Sequence, residues 1–190
     1  DAPNSYNMEY GASCMGYEIA GAFGAKLAEP DKEVYALVGD GSFMMLNSEI
    51  PTAMQENAKI TVVVFDNCAF GCINNLQMGN GVGSLATEMR HRNETTGKLD
   101  GDYCYTDFGK IGEGFGMKRS TPRLRTNSAR PFRMLRRKAF PASSTQRFCK
   151  TMAEGYESWW HIGVASTSKS DEVKAARKRI DDHLAEARMY

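Results

Sequence analysis

The chain has 190 residues, 42% hydrophobic and 25% charged, with a formal net charge of +1, which is ample for one globular domain with its own core. No run approaches the ~18 apolar residues that a membrane span requires, and the start, DAPNSYNMEYG, lacks the basic-then-apolar pattern of a signal peptide. Five cysteines (14, 68, 72, 104 and 149) without paired CxxC spacing suit reduced thiols in a cytoplasmic protein better than a disulfide frame or a zinc site.

Residues 1–16 read as an entry loop that contributes ligand-binding backbone. Tyr17 to Leu27 (YEIAGAFGAKL) is small and apolar on most sides, as a helix packed on a sheet should be, and Glu29-Pro30-Asp31 ends it. Glu33 to Val38 (EVYALV) is a hydrophobic strand that runs into Gly39-Asp40-Gly41-Ser42. Glycine on both sides of an acid lets the backbone turn sharply and approach a ligand. Ser42 opens a helix with Phe43, Leu46, Ile50 and Met54 at helical spacing. Lys59 to Phe65 (KITVVVF), rich in β-branched residues, is the next strand, and it ends on Asp66-Asn67. Residues 78–103 are polar, Gly-rich and without apolar period, a functional or mobile loop. Tyr105 to Phe115 is a short helix with Phe108, Ile111 and Phe115 on one face. Ser170 to Tyr190 is an amphipathic helix with the stripe Val173, Ala176, Ile180 and Leu184. Tyr156, Trp159 and Trp160, with Ile162 and Val164, pack this tail onto the body or line a substrate site.

The fold class is α/β, a parallel sheet flanked by helices, with an acid at the mouth of one strand and an amide at the mouth of the next. In a parallel sheet both mouths lie on one edge, where ligands bind. N–H groups at a helix start attract phosphate, and Asp40 and Asn67 are hard oxygen ligands suited to Mg²⁺. Mg²⁺ takes few protein groups and fills its shell with phosphate oxygens and water. A diphosphate held through a metal is one reading; a tight turn with no ligand is the other.

The spacing GDG, then 25 residues, then Asn67 resembles the signature of thiamin-diphosphate enzymes. That resemblance implies Mg²⁺ on Asp40, Asn67 and the backbone carbonyl of Ala69. It implies cofactor binding by Met15, Gly16, Gly39, Asp40, Gly41, Ser42, Asn67, Phe70 and Gly71, with Met15 beneath the bent cofactor. Where the family often has Asn-Asn, this chain has Asp66-Asn67. The longer stretches MEYGASCMGYEIAGAFGAKLAEP, FDNCAFGCINNLQMGNGVGS and KTMAEGYESWWHIGV resemble the trihydroxycyclohexane-1,2-dione hydrolase family of myo-inositol catabolism. These enzymes cleave a C–C bond of a cyclic 1,2-diketone. The likeness covers residues 5–117 and 150–168. It places the 78–103 loop near the active site, where His91 is a candidate for contact with a polyhydroxylated substrate or is simply solvated. The family's pyrimidine-protonating glutamate belongs to an N-terminal domain that no part of this chain resembles, so the catalytic residues are unknown here. The chain then reads as the diphosphate-binding third of a larger enzyme, a homo-oligomer, inactive without its missing domains. Two other readings stay open: an acetolactate synthase or decarboxylase type of thiamin-diphosphate enzyme, and a non-catalytic fragment with a basic nucleic-acid-binding arm.

That arm is residues 118–149, between a diphosphate-binding core at 1–117 and a tail at 150–190. Up to Met117 there are 16 acids and 7 bases; from Lys118 to Lys150 there are 11 bases and no acid. Neither helical nor strand period is visible. A basic arm for nucleic acid or an acidic surface and a solvated insertion are both compatible, but a translated shifted frame fits better. Moving Phe140–Cys149 by two nucleotides turns Ala142-Ser143 and Ser143-Ser144, with TCN serines, into codons for Leu, Ile, Val or Phe. Ser144-Thr145 becomes Asp, Asn, His or Tyr, and Phe148-Cys149 becomes Leu. The hidden frame reads as the apolar strand a parallel sheet needs. As written, 118–149 is expected to be irregular and to leave the sheet without its last strand.

Overall fold

The computed structural model describes residues 5–8, 14–120, 142–147 (backbone only) and 164–186. The remaining residues, including Gly11–Ser13, most of the basic block and the Tyr156–Trp160 cluster, lie outside the described residues. The chain falls into two compact units, Asp1–Asn67 with Tyr105–Cys149 and Cys68–Cys104 with Lys150–Tyr190.

The first unit is built on a four-stranded parallel sheet in the order β1-β2-β4-β3, with β1 Tyr35–Gly39, β2 Thr61–Asp66, β3 Lys118–Ser120 and β4 Ala142–Arg147. β2 reads TVVVFD and is buried at every position except Phe65, the continuous apolar run expected of a strand covered on both faces. Helix α1, Tyr17–Ala28, packs on β1 and buries Ile19 and Ala22. Helix α5, Phe108–Gly114, starts at Asp107, whose side chain accepts the Lys110 N–H at 3.1 Å. Phe43 and Phe108, both fully buried, meet edge to face at 5.5 Å in the core, a geometry aromatic pairs favour.

Two expectations are corrected. The single helix from Ser42 is two short ones, α2 Asp40–Met45 and α3 Glu49–Gln55. Pro51 has no N–H to give the Asn47 carbonyl, so one continuous helix would lose a bond there and clash. Phe43 and Ile50 are buried as expected, whereas Leu46 falls in the break and is 40% exposed. The second correction concerns 118–149, which is regular at both described places. β3 flanks β4, and β4 pairs with β2 in register Thr61↔Ala142 to Asp66↔Arg147. Ladder bonds use only main-chain groups, and those along the second edge of β2 must be paired when buried, so even ASSTQR can supply them. Its polar sequence is nonetheless foreign to an inner parallel strand.

In the second unit, α4 Gly71–Gly79 buries none of its side chains. Helix α6, Asp171–Glu186, packs Val173, Ala176 and Ile180 with Val164, while Leu184 is exposed. The polar 80–104 segment is ordered by antiparallel bridges Ala69↔Glu88 and Arg90↔Tyr103. Among the described residues, no helix is long and apolar enough to cross a membrane.

Candidate cofactor site

The parallel register Gly39↔Phe65 brings the ends of β1 and β2 to one edge. Asp40 is therefore beside Asp66 and Asn67, and the residue is 1% exposed. Its Oδ1 accepts the Gly41 N–H at 2.8 Å and its Oδ2 accepts the Asn67 N–H at 3.2 Å. A buried carboxylate costs several kcal/mol unless hydrogen-bonded; these donors, and its place in the first turn of α2, where the helix dipole favours an anion, offset that cost. The turn itself differs from the expected one. Gly39 is extended, with φ −71 and ψ 155, and neither Gly39 nor Gly41 is left-handed. The backbone at Gly39 borders open space: a Cβ built there would meet nothing within 4 Å, so packing within this chain does not itself demand glycine at that position. A hard, buried oxygen donor beside an uncrowded backbone at the strand mouths fits a metal-bound diphosphate.

Gly16 also has a structural role that its sequence context did not show. It caps α1 at φ +97, its N–H donates to Glu18 Oε2 at 3.0 Å, and a Cβ on it would lie 2.3 Å from Leu46 Cβ. Met15, the residue before it, is half-buried, as are Ser42 and Asn67.

Ala69, Phe70 and Gly71 belong to the second unit. Phe70 caps α4, accepting the Asn74 N–H at 2.9 Å and donating its own N–H to the Thr87 carbonyl at 2.8 Å. Cys68 is buried and left-handed, at φ +51, a conformation that costs a non-glycine residue of order 1–3 kcal/mol. Met89 N–H donates to its carbonyl at 2.8 Å. His91 is exposed, and its backbone N–H donates to the Asp102 carbonyl at 2.9 Å.

One cluster in the polar segment was not anticipated. Glu88, Arg90 and Tyr103 come together because 88 and 90 are two residues apart in a bridged, extended segment and 103 is bridged to 90. Arg90 Nε donates to Glu88 Oε2 at 3.0 Å, its Nη1 to the Gly101 carbonyl at 3.0 Å and its Nη2 to the Tyr103 hydroxyl, and its guanidinium lies 3.7 Å from the Tyr103 ring centroid. The Tyr103 hydroxyl donates to Glu88 Oε1 at 2.8 Å. Burial pushes the Glu88 carboxyl up, but hydrogen bonds from Arg90, Tyr103 and Ser84 outweigh it and hold the group below its ordinary value. The only sequence trace is the alternation from Thr87 to Arg90, too short to stand out in a Gly-rich stretch.

The family "Thiamine pyrophosphate enzyme, C-terminal TPP binding domain" matches residues 1–148. Over 190 residues the chain is 53% identical to the 3D-(3,5/4)-trihydroxycyclohexane-1,2-dione hydrolase of Geobacillus thermodenitrificans (strain NG80-2), covering 98% of this chain and 29% of that protein. It is 52% identical over 188 residues to the protein of that name from Clostridium botulinum (strain Alaska E43 / Type E3), with the same two coverages. The chain thus spans 29% of the length of these curated relatives. Among solved structures it resembles the Rhodococcus jostii RHA1 thiamine diphosphate-dependent 4-hydroxybenzoylformate decarboxylase, with a TM-score of 0.56 and 21% identity over 72% of this chain and 24% of that one. That likeness is one of fold. The sheet with its acid at the strand mouth and the match over residues 1–148 agree: this chain belongs to the thiamine pyrophosphate enzymes, as their C-terminal cofactor-binding domain.

Proposed function

We propose that the chain is the diphosphate-binding part of a thiamin-diphosphate- and Mg²⁺-dependent hydrolase that cleaves a C–C bond of a cyclic polyol 1,2-diketone in cytoplasmic myo-inositol catabolism. The observation that carries the site is the buried Asp40 carboxylate, hydrogen-bonded by Asn67 N–H at the mouths of two parallel strands. The names of the relatives support the substrate class. Asp40, Asn67 and the Ala69 carbonyl hold Mg²⁺; Gly39, Gly41 and Ser42 take the diphosphate. By the family resemblance, Met15 and Gly16 would contact the cofactor's ring, and Phe70 and Gly71 are further candidates for binding it. When bound, thiamin diphosphate supplies the electron sink for cleavage next to a carbonyl. The chain's own residues bind and orient; the proton on the pyrimidine is managed by a glutamate from another domain of a homo-oligomeric enzyme, so the isolated chain turns over no diketone.

The test is Asp40→Ala in the longer enzyme that carries this chain, with thiamin diphosphate binding followed by calorimetry with and without Mg²⁺. Loss of Mg²⁺-dependent binding is expected; unchanged binding removes the metal site. Turnover of the cyclic diketone rather than pyruvate by the same enzyme separates the hydrolase from an acetolactate synthase or decarboxylase. A non-catalytic product with a basic arm would show neither activity and would shift DNA in a salt-dependent way.

A further inference from the structure

We propose that Glu88, Arg90 and Tyr103 form a positioning lock for the backbone at 68–70, and through it set the direction of the Ala69 carbonyl. The proposal rests on the assignment of that carbonyl to Mg²⁺.

Two bonds join the segments. Phe70 N–H donates to the Thr87 carbonyl and Met89 N–H to the Cys68 carbonyl, both at 2.8 Å. Ala69 and Glu88 are the antiparallel pair between them. In such a pair the two residues exchange no bond with each other. The N–H and C=O of Ala69 are therefore turned away from the 87–89 segment. The direction of its carbonyl follows from how firmly that segment is held. On its other side the segment is bonded to 101–104 by Cys104 N–H to the Met89 carbonyl at 2.8 Å and His91 N–H to the Asp102 carbonyl at 2.9 Å. The lock closes across this second pairing: Arg90 reaches Glu88 on its own segment and Tyr103 and the Gly101 carbonyl on the next. Cys68, left-handed and buried, is the residue such a clamp has to hold, since strained backbone persists only where its surroundings over-determine it. The planar fork of arginine makes all these contacts together; a lysine ammonium is a point donor and cannot.

The test uses the longer enzyme with Arg90→Gln, Arg90→Lys and Tyr103→Phe, titrating Mg²⁺ at fixed thiamin diphosphate and reading cofactor binding. Groups that orient metal ligands typically change metal affinity by about 10–100-fold. Both Arg90 variants should raise half-saturating Mg²⁺ by about tenfold or more, and Tyr103→Phe, which keeps the ring, by less. In the cofactor-free protein the amides of Phe70 and Met89 should exchange hydrogen faster. A lowered melting temperature with parental Mg²⁺ dependence would make the cluster merely structural and overturn the proposal, as would a shifted Mg²⁺ dependence without faster exchange at those amides. Asp40→Ala separates the failures: if it abolishes Mg²⁺-dependent binding while the Arg90 variants do not, only the lock falls. If it changes nothing, the metal assignment falls and the lock with it. Should Arg90→Gln fail to fold, Tyr103→Phe carries the same comparison.

Discussion

Gly16→Ala should destabilise the first unit severely, through two separable terms. At φ +97 an L side chain brings its Cβ against the backbone, costing about 1–2 kcal/mol. The new Cβ would also lie 2.3 Å from Leu46 Cβ, where carbons prefer about 3.5–4.0 Å. Overpacking of this kind typically costs about 1–3 kcal/mol. The sum, about 2–5 kcal/mol, is a large share of the ~5–15 kcal/mol a domain has in hand. Urea unfolding should show a lower midpoint at unchanged slope. The worst contact is with the Cβ of Leu46, while its Cδ2 and Cγ lie at 3.1 and 3.2 Å, so Leu46→Ala should give only partial relief, whereas Leu46→Gly should recover the steric part and leave the left-handed part. A double-mutant cycle isolates that coupling. Gly16→Ala within about 0.5 kcal/mol of the parent, the range of a neutral surface change, would refute the packing, as would zero coupling to Leu46→Gly.

Glu88 titrates below its ordinary 4.5 when folded, so the folded form binds that proton less tightly than the unfolded form. Its contribution to stability is present above the ordinary value and lost as pH falls through the folded one. Urea midpoints measured across this acid range should fall more for the parent than for Glu88→Gln; parallel curves would contradict the network. The coding DNA across residues 113–155 should contain a second frame that joins Gly116 to Lys150 through a helix and an apolar strand. If no frame does so, the basic block is genuine and the DNA-binding assay becomes decisive.

Strong local patterns made the elements legible. The run from Thr61 to Asp66 could be read as a buried parallel strand from its β-branched residues, and α1 from its small apolar ones, because both patterns report burial directly. The GDG–Asn67 spacing could be read because Asp40 and Asn67 each follow a strand, and parallel pairing carries both to one edge. Whether Pro51 would break or merely begin a helix was not legible, since proline fits a first turn and disrupts an interior. Nor was the role of Gly16, which is decided by Leu46, thirty residues away. The Glu88–Arg90–Tyr103 ring depends on the pairing of two segments with no apolar period. The sequence alone determined the α/β class, the strand mouths and the family, because these rest on local burial patterns and motifs. Only the tertiary structure decided the break in the helix, the crowding at Gly16 and the clamp on the 68–70 backbone, because each is set by main-chain geometry and by contacts between residues far apart in the chain.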